Sequence, residues 1–276
     1  MTPMPITLAE LVARIPDGCR LAVASDFNGF YSGAAMEATR ELVRRGSRGL
    51  RIVALPTTGL QADLLIGAGC VAEIECGAVI HGEHGAPPRF LDAFAKGALR
   101  MKESTCPAIF HGFTAAEKGA PFMAVRGVLG TDLPKLRPDW HTLQNPFDDS
   151  EPLVVVPAIH PDVALFHAPM ADREGNIWIG RRREFALMAH AARSTFVTVE
   201  RIYDGDLMAH GELSAGALSA VYVDGIAVCE RGAWPFHMGE AYGEDSAHIS
   251  KYLQLARTED GFQAYLGEHV LGRTKA

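Results

Sequence analysis

Two periods of apolar spacing alternate along the first 120 residues. Positions 7–15 carry apolar residues at helical spacing, with Thr7 and Glu10 at capping-box distance and Pro16-Asp17-Gly18 closing the segment. A short apolar run at 20–25 reads as a strand. Positions 34–46 return to the helical period, with Ala35, Ala38 and Leu42 on one stripe and Gly46 at the C′ position. The cycle repeats as strand 50–55, helix 59–69, strand 71–76, a proline-led helix 87–98, strand 99–104 and helix 106–119. Repeated β-α-β units with short connections predict a parallel, doubly wound sheet.

The second half has a different rhythm. After a proline-punctuated stretch, 133–152, closely spaced strands follow at 153–158, 163–168, 176–179, 196–202 and 220–230. One helix, 183–193, lies among them and another, 246–256, follows. The pattern predicts one α/β domain over residues 1–276, an open and mostly parallel sheet with helices on both faces, in which the later strands add antiparallel members.

Composition narrows the function classes. The 276 residues are 48% apolar, enough for a full core, and carry a formal net charge of −7. That charge argues against nucleic acid as a partner, and the short basic run Arg181-Arg182-Arg183 does not reverse it. The five cysteines are odd in number and show no C-x-x-C spacing. With no signal-type leader, they read as reduced thiols of a cytoplasmic protein. No apolar stretch approaches the roughly 20 residues that span a bilayer.

Four places have residues suited to chemistry. His167 lies between the apolar run 163–166 and the polar turn 172–176; it reads as a structural imidazole where two strands turn, or as a base whose partner the sequence does not name. The glycine-bearing stretch 25–33 joins a strand to a helix, where backbone N–H groups converge on an anion or a developing oxyanion. It lacks G-x-G-x-x-G and reads equally as an ordinary turn. Glu103 ends a strand, where α/β sheets collect ligands; it is a candidate base or nucleophile, or a solvated surface carboxylate. His81, Glu83 and His84 suggest a metal, but no second cluster completes the set, so no metal is expected. The Gly-, Trp- and His-rich stretch 227–243 reads as a loop packing against another chain or domain.

The stretch "VVVPAIHPDVALFHAPMADREGNIWI" resembles the signature region of family I coenzyme A-transferases, and most closely the α (A) subunit of glutaconate CoA-transferase and its relatives. "GAPFMAVRGVLGTDL", "NPFDDSEPLVVVPA", "AARSTFVTVERI" and "GAWP" follow the family's segments in order, so the resemblance covers most of the chain. It implies the fold shared by these transferases with the NagB and RpiA types. It also implies a separate β subunit that carries the nucleophilic glutamate, in a hetero-oligomer such as α2β2. Acyl-CoA and carboxylic acids would be the small molecules handled, with coenzyme A as substrate and no tightly bound cofactor.

Relatives carry G-G-F in the oxyanion and acyl-binding loop, where this chain has Ser25-Asp26-Phe27, followed by Asn28 and Gly29. A carboxylate there would oppose an anionic acyl group, and the basic residues that follow the loop in the glutaconate type are missing. A related branch, the steroid-ring CoA hydrolases, uses an α-subunit glutamate near the position of Glu103. On that reading Glu103 is a general base acting on water, and Asp26 positions it. His167 becomes a strand-end corner near the site or the subunit interface. A sugar-phosphate isomerase would need a basic phosphate cradle that 25–33 does not offer, and a noncatalytic scaffold would bind no CoA ester.

Overall fold

A computed structural model describes residues 5–26 and 30–272. The strands of the first half are β1 (Arg20–Ala24), β2 (Leu50–Leu55), β3 (Thr57–Thr58), β4 (Val71–Cys76), β5 (Ala78–Val79), β6 (Arg100–Glu103) and β7 (Phe122–Val125). Those of the second half are β8 (His141–Gln144), β9 (Pro152–Pro157), β10 (Val163–Asp172), β11 (Ile177–Trp178), β12 (Ser194–Tyr203), β13 (Ala217–Leu218) and β14 (Gly225–Val228). The helices up to residue 117 are α1 (Leu8–Ala13), α2 (Met36–Arg45), α3 (Leu60–Gly67), α4 (Pro88–Ala95) and α5 (Cys106–Glu117). The remainder are α6 (Leu133–Leu136), α7 (Arg183–Ala191), α8 (Ser246–Leu255) and α9 (Glu259–His269).

The capping box predicted at Thr7 and Glu10 is present, and Gly46 ends α2 at φ 74°, a conformation that glycine adopts without strain. Side chains alternate across the main sheet. Leu21, Val23, Ile52, Ala54 and Ile74 face one apolar layer, while Ala22, Ala24, Val53 and Leu55 face the other with Phe113 and Phe185 of α5 and α7. Burial on both faces explains the near-continuous apolar runs of β1, β2 and β10. Helices α8 and α9 bury Tyr252, Phe262 and Tyr265 with Leu60 and Leu64 of α3.

The main sheet has a parallel spine in the order β14-β12-β10-β1-β2-β4-β6, and β11 and β13 add the antiparallel members. The stretch 153–158 does not join it, contrary to the sequence-based expectation. It becomes β9, the centre of a separate antiparallel sheet ordered β7-β9-β8. Its burial alternates, with Val154 and Val156 inward against Trp140, so it has one apolar face where a strand of the main sheet needs two. The stretch 220–230 also divides, into a single 3-10 turn, Ala220–Tyr222, and β14.

Strand order reverses between β1 and β10. From β1 the chain steps outward to β2, β4 and β6; from β10 it steps the other way to β12 and β14. In open α/β sheets the crevice outside the carboxyl ends of the strands at such a reversal is the usual ligand site.

Candidate active site

Ser25 and Asp26 follow the carboxyl end of β1, beside that crevice. Both are buried, and Phe27, Asn28 and Gly29 lie outside the described residues. The Asp26 carboxylate is turned inward, away from the crevice. Its Oδ2 accepts the Gln61 N–H at 3.2 Å and its Oδ1 accepts the Thr58 hydroxyl at 3.4 Å. The Gly59 N–H adds a further donor. Helix α3 begins after Gly59 with no side-chain cap of its own, so Asp26 caps it from across the sheet. Burial pushes the Asp26 carboxyl up to about 6, against the opposing pull of the Gln61 N–H and the charge of His81.

A buried arginine ties the two ends of this segment. Arg182, just ahead of α7, donates from Nη1 to the Tyr31 carbonyl and from Nη2 to the Ser25 carbonyl at 3.4 Å. Its Nε pairs with Glu184, and its guanidinium lies 4.5 Å from the centre of the Phe185 ring. Gly33 makes the approach of α7 feasible, because a Cβ there would stand 2.1 Å from Phe185 Cζ.

His167 sits in the middle of β10, which runs six residues longer than "VALF" and turns only after Asp172. The strand-end corner expected from the sequence is therefore a fork: β10 pairs with β1 at 163–165 and with β11 at 170–171. Between them the His167 N–H donates to Gly33 O at 2.8 Å. The ring is fully buried, with Nδ1 at 2.8 Å from Thr198 Oγ1 and Nε2 at 2.8 Å from Glu200 Oε1. Glu200 also accepts from the Tyr242 hydroxyl, the Arg231 N–H at 2.6 Å and the Gly232 N–H at 3.2 Å.

Burial alone would raise the Glu200 carboxyl, yet these donors and the His167 charge hold it below the usual range. A carboxylate so fully supplied is a fixed counter-charge and a poor nucleophile. It also anchors Arg231 at φ 54°, and Gly232 packs where a Cβ would stand 2.5 Å from His167 Cε1. The stretch 227–243 thus packs on its own strands. Trp234, with Arg40 at 5.0 Å, and Trp140, with Arg137 at 4.5 Å, are packed within the chain as well.

Beside the fork lies a cleft of about 390 Å³. Phe30, Met170, Trp178 and Met238 form apolar walls, with Glu200 and Arg201 at its polar side. A cleft of about 460 Å³ also opens at the amino ends of the strands, among Arg20, Arg51, Arg100 and Arg137. Those cations are matched in place: Arg20 and Arg137 with Glu75 at 2.6 and 2.7 Å, Arg51 with Asp162 at 3.6 Å, and Arg100 with Glu73. Its charges are spent on each other, so the cleft at the switch point is the better site.

Glu103 is exposed at the carboxyl end of β6, and its backbone carbonyl accepts from Arg137 at 3.0 Å. Ala22, Val53, Glu75 and Lys102 form one row across β1, β2, β4 and β6. Glu103, one residue on, is therefore three strand spacings, ~14 Å, from β1. Asp26 and Glu103 are not brought together, and Asp26 finds its partners on β3 and α3. Among the described residues no group of three His, Cys, Asp or Glu is placed to hold a metal ion. His81 is buried, and His84 pairs with Glu244 at 2.9 Å.

Residues 6–228 match the coenzyme A transferase family model. The chain belongs to that family. The A-type subunit of 3-oxoadipate CoA-transferase from Pseudomonas knackmussii is 34% identical over 279 residues, covering 97% of this chain and 93% of the relative. The cholesterol ring-cleaving hydrolase IpdA subunit of Rhodococcus jostii is 29% identical, covering 86% and 82%. The crystal structure of glutaconate coenzyme A-transferase from Acidaminococcus fermentans superposes with a TM-score of 0.86 at 25% identity, covering 97% of this chain and 88% of that one. The family is one of enzymes, and this chain has the length and fold of its A-type subunits.

Sequence reasoning passed over Arg182, weighing its basic run only against nucleic acid. The signal was its place just ahead of a helix whose first turn holds Glu184 and Phe185. Glu200 lay inside a quoted family segment, but its partners Tyr242 and Arg231 are distant in sequence.

Proposed function

We propose that this protein is the A-type subunit of a heteromeric CoA-transferase, moving CoA between an acyl-CoA thioester and a carboxylic acid. The observation that carries this reading is the segment after β1, clamped by Arg182 at Ser25 and Tyr31 on the carboxyl side of the switch point. A carboxylate attacking a thioester builds negative charge on the carbonyl oxygen, and pre-placed backbone N–H groups stabilise it without reorganisation. On this reading backbone groups of residues 25–31 serve as those donors, and the β subunit supplies the attacking carboxylate. Asp26 caps α3 and points away, so its charge is directed at the helix and spares an anionic acyl group the repulsion. Residues 1–276 act as one such domain, in an α2β2 assembly.

The bound molecule is CoA as substrate, with no tightly held cofactor. A cytoplasmic site of action agrees with the five free cysteines. No helix among the described residues is long and apolar enough to cross a membrane.

A second reading has one observation in its favour. Glu103 stands exposed at a strand's carboxyl end, as a water-activating base would. The co-purified αβ pair, given acyl-CoA alone and then with an acceptor carboxylate, separates the two. New thioester only with acceptor, and a borohydride-trapped intermediate on the β subunit, supports the transferase. Free CoA or an opened ring without acceptor, abolished by Glu103→Gln, supports the hydrolase instead.

A further inference from the structure

The cleft beside the fork holds a cation whose charge the fold leaves unmatched. Arg201 is exposed near the end of β12, and its guanidinium leans over β10 with Nη2 3.2 Å from Met170 Sδ and Cζ 6.0 Å from the centre of the Tyr203 ring. Among the described residues no carboxylate stands within ion-pair distance of it. The carboxylates nearest in sequence are engaged elsewhere: Glu200 with His167 and the Arg231 and Gly232 N–H groups, Asp204 with Arg173 at 2.8 Å, and Asp206 with the Met208 N–H at 2.8 Å. Arg182 and Arg20, by contrast, each meet a carboxylate.

The surroundings of this cation are apolar. Trp178, Met170 and Arg201 form one row across β11, β10 and β12, so their side chains share a face of the sheet. Phe30 meets Trp178 edge to face with 6.4 Å between ring centres, and Met238, 3% exposed, completes the walls. A hydrocarbon chain suits such walls, and a guanidinium at their far end suits a carboxylate, which it grips with paired N–H donors. The spacing leaves room for the chain. Val23 pairs with Leu165, so Ala24, the last residue of β1, is level with Phe166. Arg201 pairs with Met170, four residues further along and two strands across from β1, a Cα span of ~16 Å. Its side chain reaches back over part of that span, and the remainder is left for an acyl chain running from a thioester at the end of β1. Glu240, exposed on the rim, is the anion such a carboxylate would meet besides Glu200, whose charge is already supplied with donors.

We propose that Arg201 selects the acyl group: the cleft takes a straight carbon chain and Arg201 pairs with a carboxylate at its far end, so the CoA ester handled is that of a diacid. This deepens the reading of the protein as a CoA-transferase subunit, and rests on it for the place of the thioester. A monoacid of the same length sets a methyl group against the guanidinium, strips it of water and gives it no partner.

The test offers the αβ pair succinyl-, glutaryl- and adipyl-CoA beside butyryl-, pentanoyl- and hexanoyl-CoA, with a fixed acceptor acid, and takes the ratio of kcat/KM within each matched pair of donors. In the wild type the ratio favours a diacid. In Arg201→Met it falls by about 10- to 100-fold, as expected for the loss of a hydrogen bond between charged groups. Arg201→Lys restores part of it, since a point charge remains without the fork, and Glu240→Gln raises it. A ratio unmoved by Arg201→Met overturns the proposal, including equal loss on both donors, which would place the anion on CoA itself. Should Arg201→Met fail to fold, Glu240→Gln decides: an unchanged or lowered ratio overturns the proposal. Binding is followed apart from turnover by the quenching of tryptophan fluorescence as adipyl-CoA or hexanoyl-CoA is added. A pair that prefers adipyl-CoA through Arg201 and yet transfers no CoA upholds the selection and sinks the transferase reading. A pair that transfers CoA at a ratio indifferent to Arg201 does the reverse.

Discussion

Replacing Asp26 with asparagine should make the protein more stable at neutral pH. The side chain is isosteric: its amide oxygen accepts the Gln61 N–H, and its NH2 donates to the Thr58 hydroxyl, which keeps these two contacts at the start of α3. What disappears is a buried charge. The Asp26 carboxyl sits at about 6 in the folded chain, above its ordinary 3.8, chiefly because burial disfavours ionisation. Below 3.8 both folded and unfolded chains hold the proton and there is no contribution. Between 3.8 and about 6 the folded state binds a proton that the unfolded state has released, so stability falls as pH rises. Above about 6 the whole cost is present, ~3 kcal/mol at about 1.4 kcal/mol per pH unit.

The measurement is thermal unfolding of both chains from about pH 4 to about pH 8. All other groups are shared, so the difference between the curves isolates residue 26. The asparagine variant should match wild type at the acid end and exceed it by roughly 5–10 °C at the alkaline end. Parallel curves, or an asparagine variant that loses ground as pH rises, would falsify the burial argument. If the gain in stability comes with a fall in kcat/KM, the carboxylate is kept for function at the expense of stability.

Two other substitutions probe the clamp. Arg182→Met removes the guanidinium donor to the Ser25 and Tyr31 carbonyls and the cation paired with Glu184, at a cost of about 3–5 kcal/mol. Lysine should not rescue it, because an ammonium cannot fork across two carbonyls; an unchanged Tm in either variant would remove the clamp from the account. Gly33→Ala drives a methyl to 2.1 Å from Phe185 Cζ and should cost about 1–3 kcal/mol, recovered by adding Phe185→Leu. Failure of that second substitution to restore Tm would place the strain elsewhere.

The parallel half of the fold was legible because burial on both faces makes each strand an apolar run, and short connections leave few topologies. The predicted strand at 50–55 and the observed β2 share both ends, as do the predicted strand at 71–76 and β4. The later strands were harder. "LVVVPA" has the composition of a central strand, but which sheet it joins depends on β7 and β8, which carry weaker signals. Helix α9 escaped because its apolar residues, Phe262, Tyr265 and Leu266, are few and pack on α3 and α8, not on the sheet. At the site, local spacing exposed the β1 loop and His167 as positions of interest. It did not expose that Asp26 turns inward, since its partners Thr58, Gly59 and Gln61 meet it only after β1 and β2 pair.

The separation of the β1 segment from Glu103 bears on which chemistry this chain can support. A thioester held against the segment between Ser25 and Tyr31 lies at the switch point, whereas Glu103 stands ~14 Å away across β2 and β4, at the sheet's edge. A glutamate side chain spans only part of that distance. On the transferase reading, a short acyl group ends before it reaches β6, and its carbonyl meets the carboxylate proposed for the β subunit. On the hydrolase reading, a long, ring-bearing acyl group extends along the carboxyl edge, and Glu103 activates water against a carbon remote from the sulfur, leaving the thioester intact. The Glu103→Gln variant should therefore be silent with short acyl-CoA substrates and disabling only with long ones. Equal loss with both would mean that Glu103 reaches the thioester itself and that the segment after β1 does not hold the carbonyl.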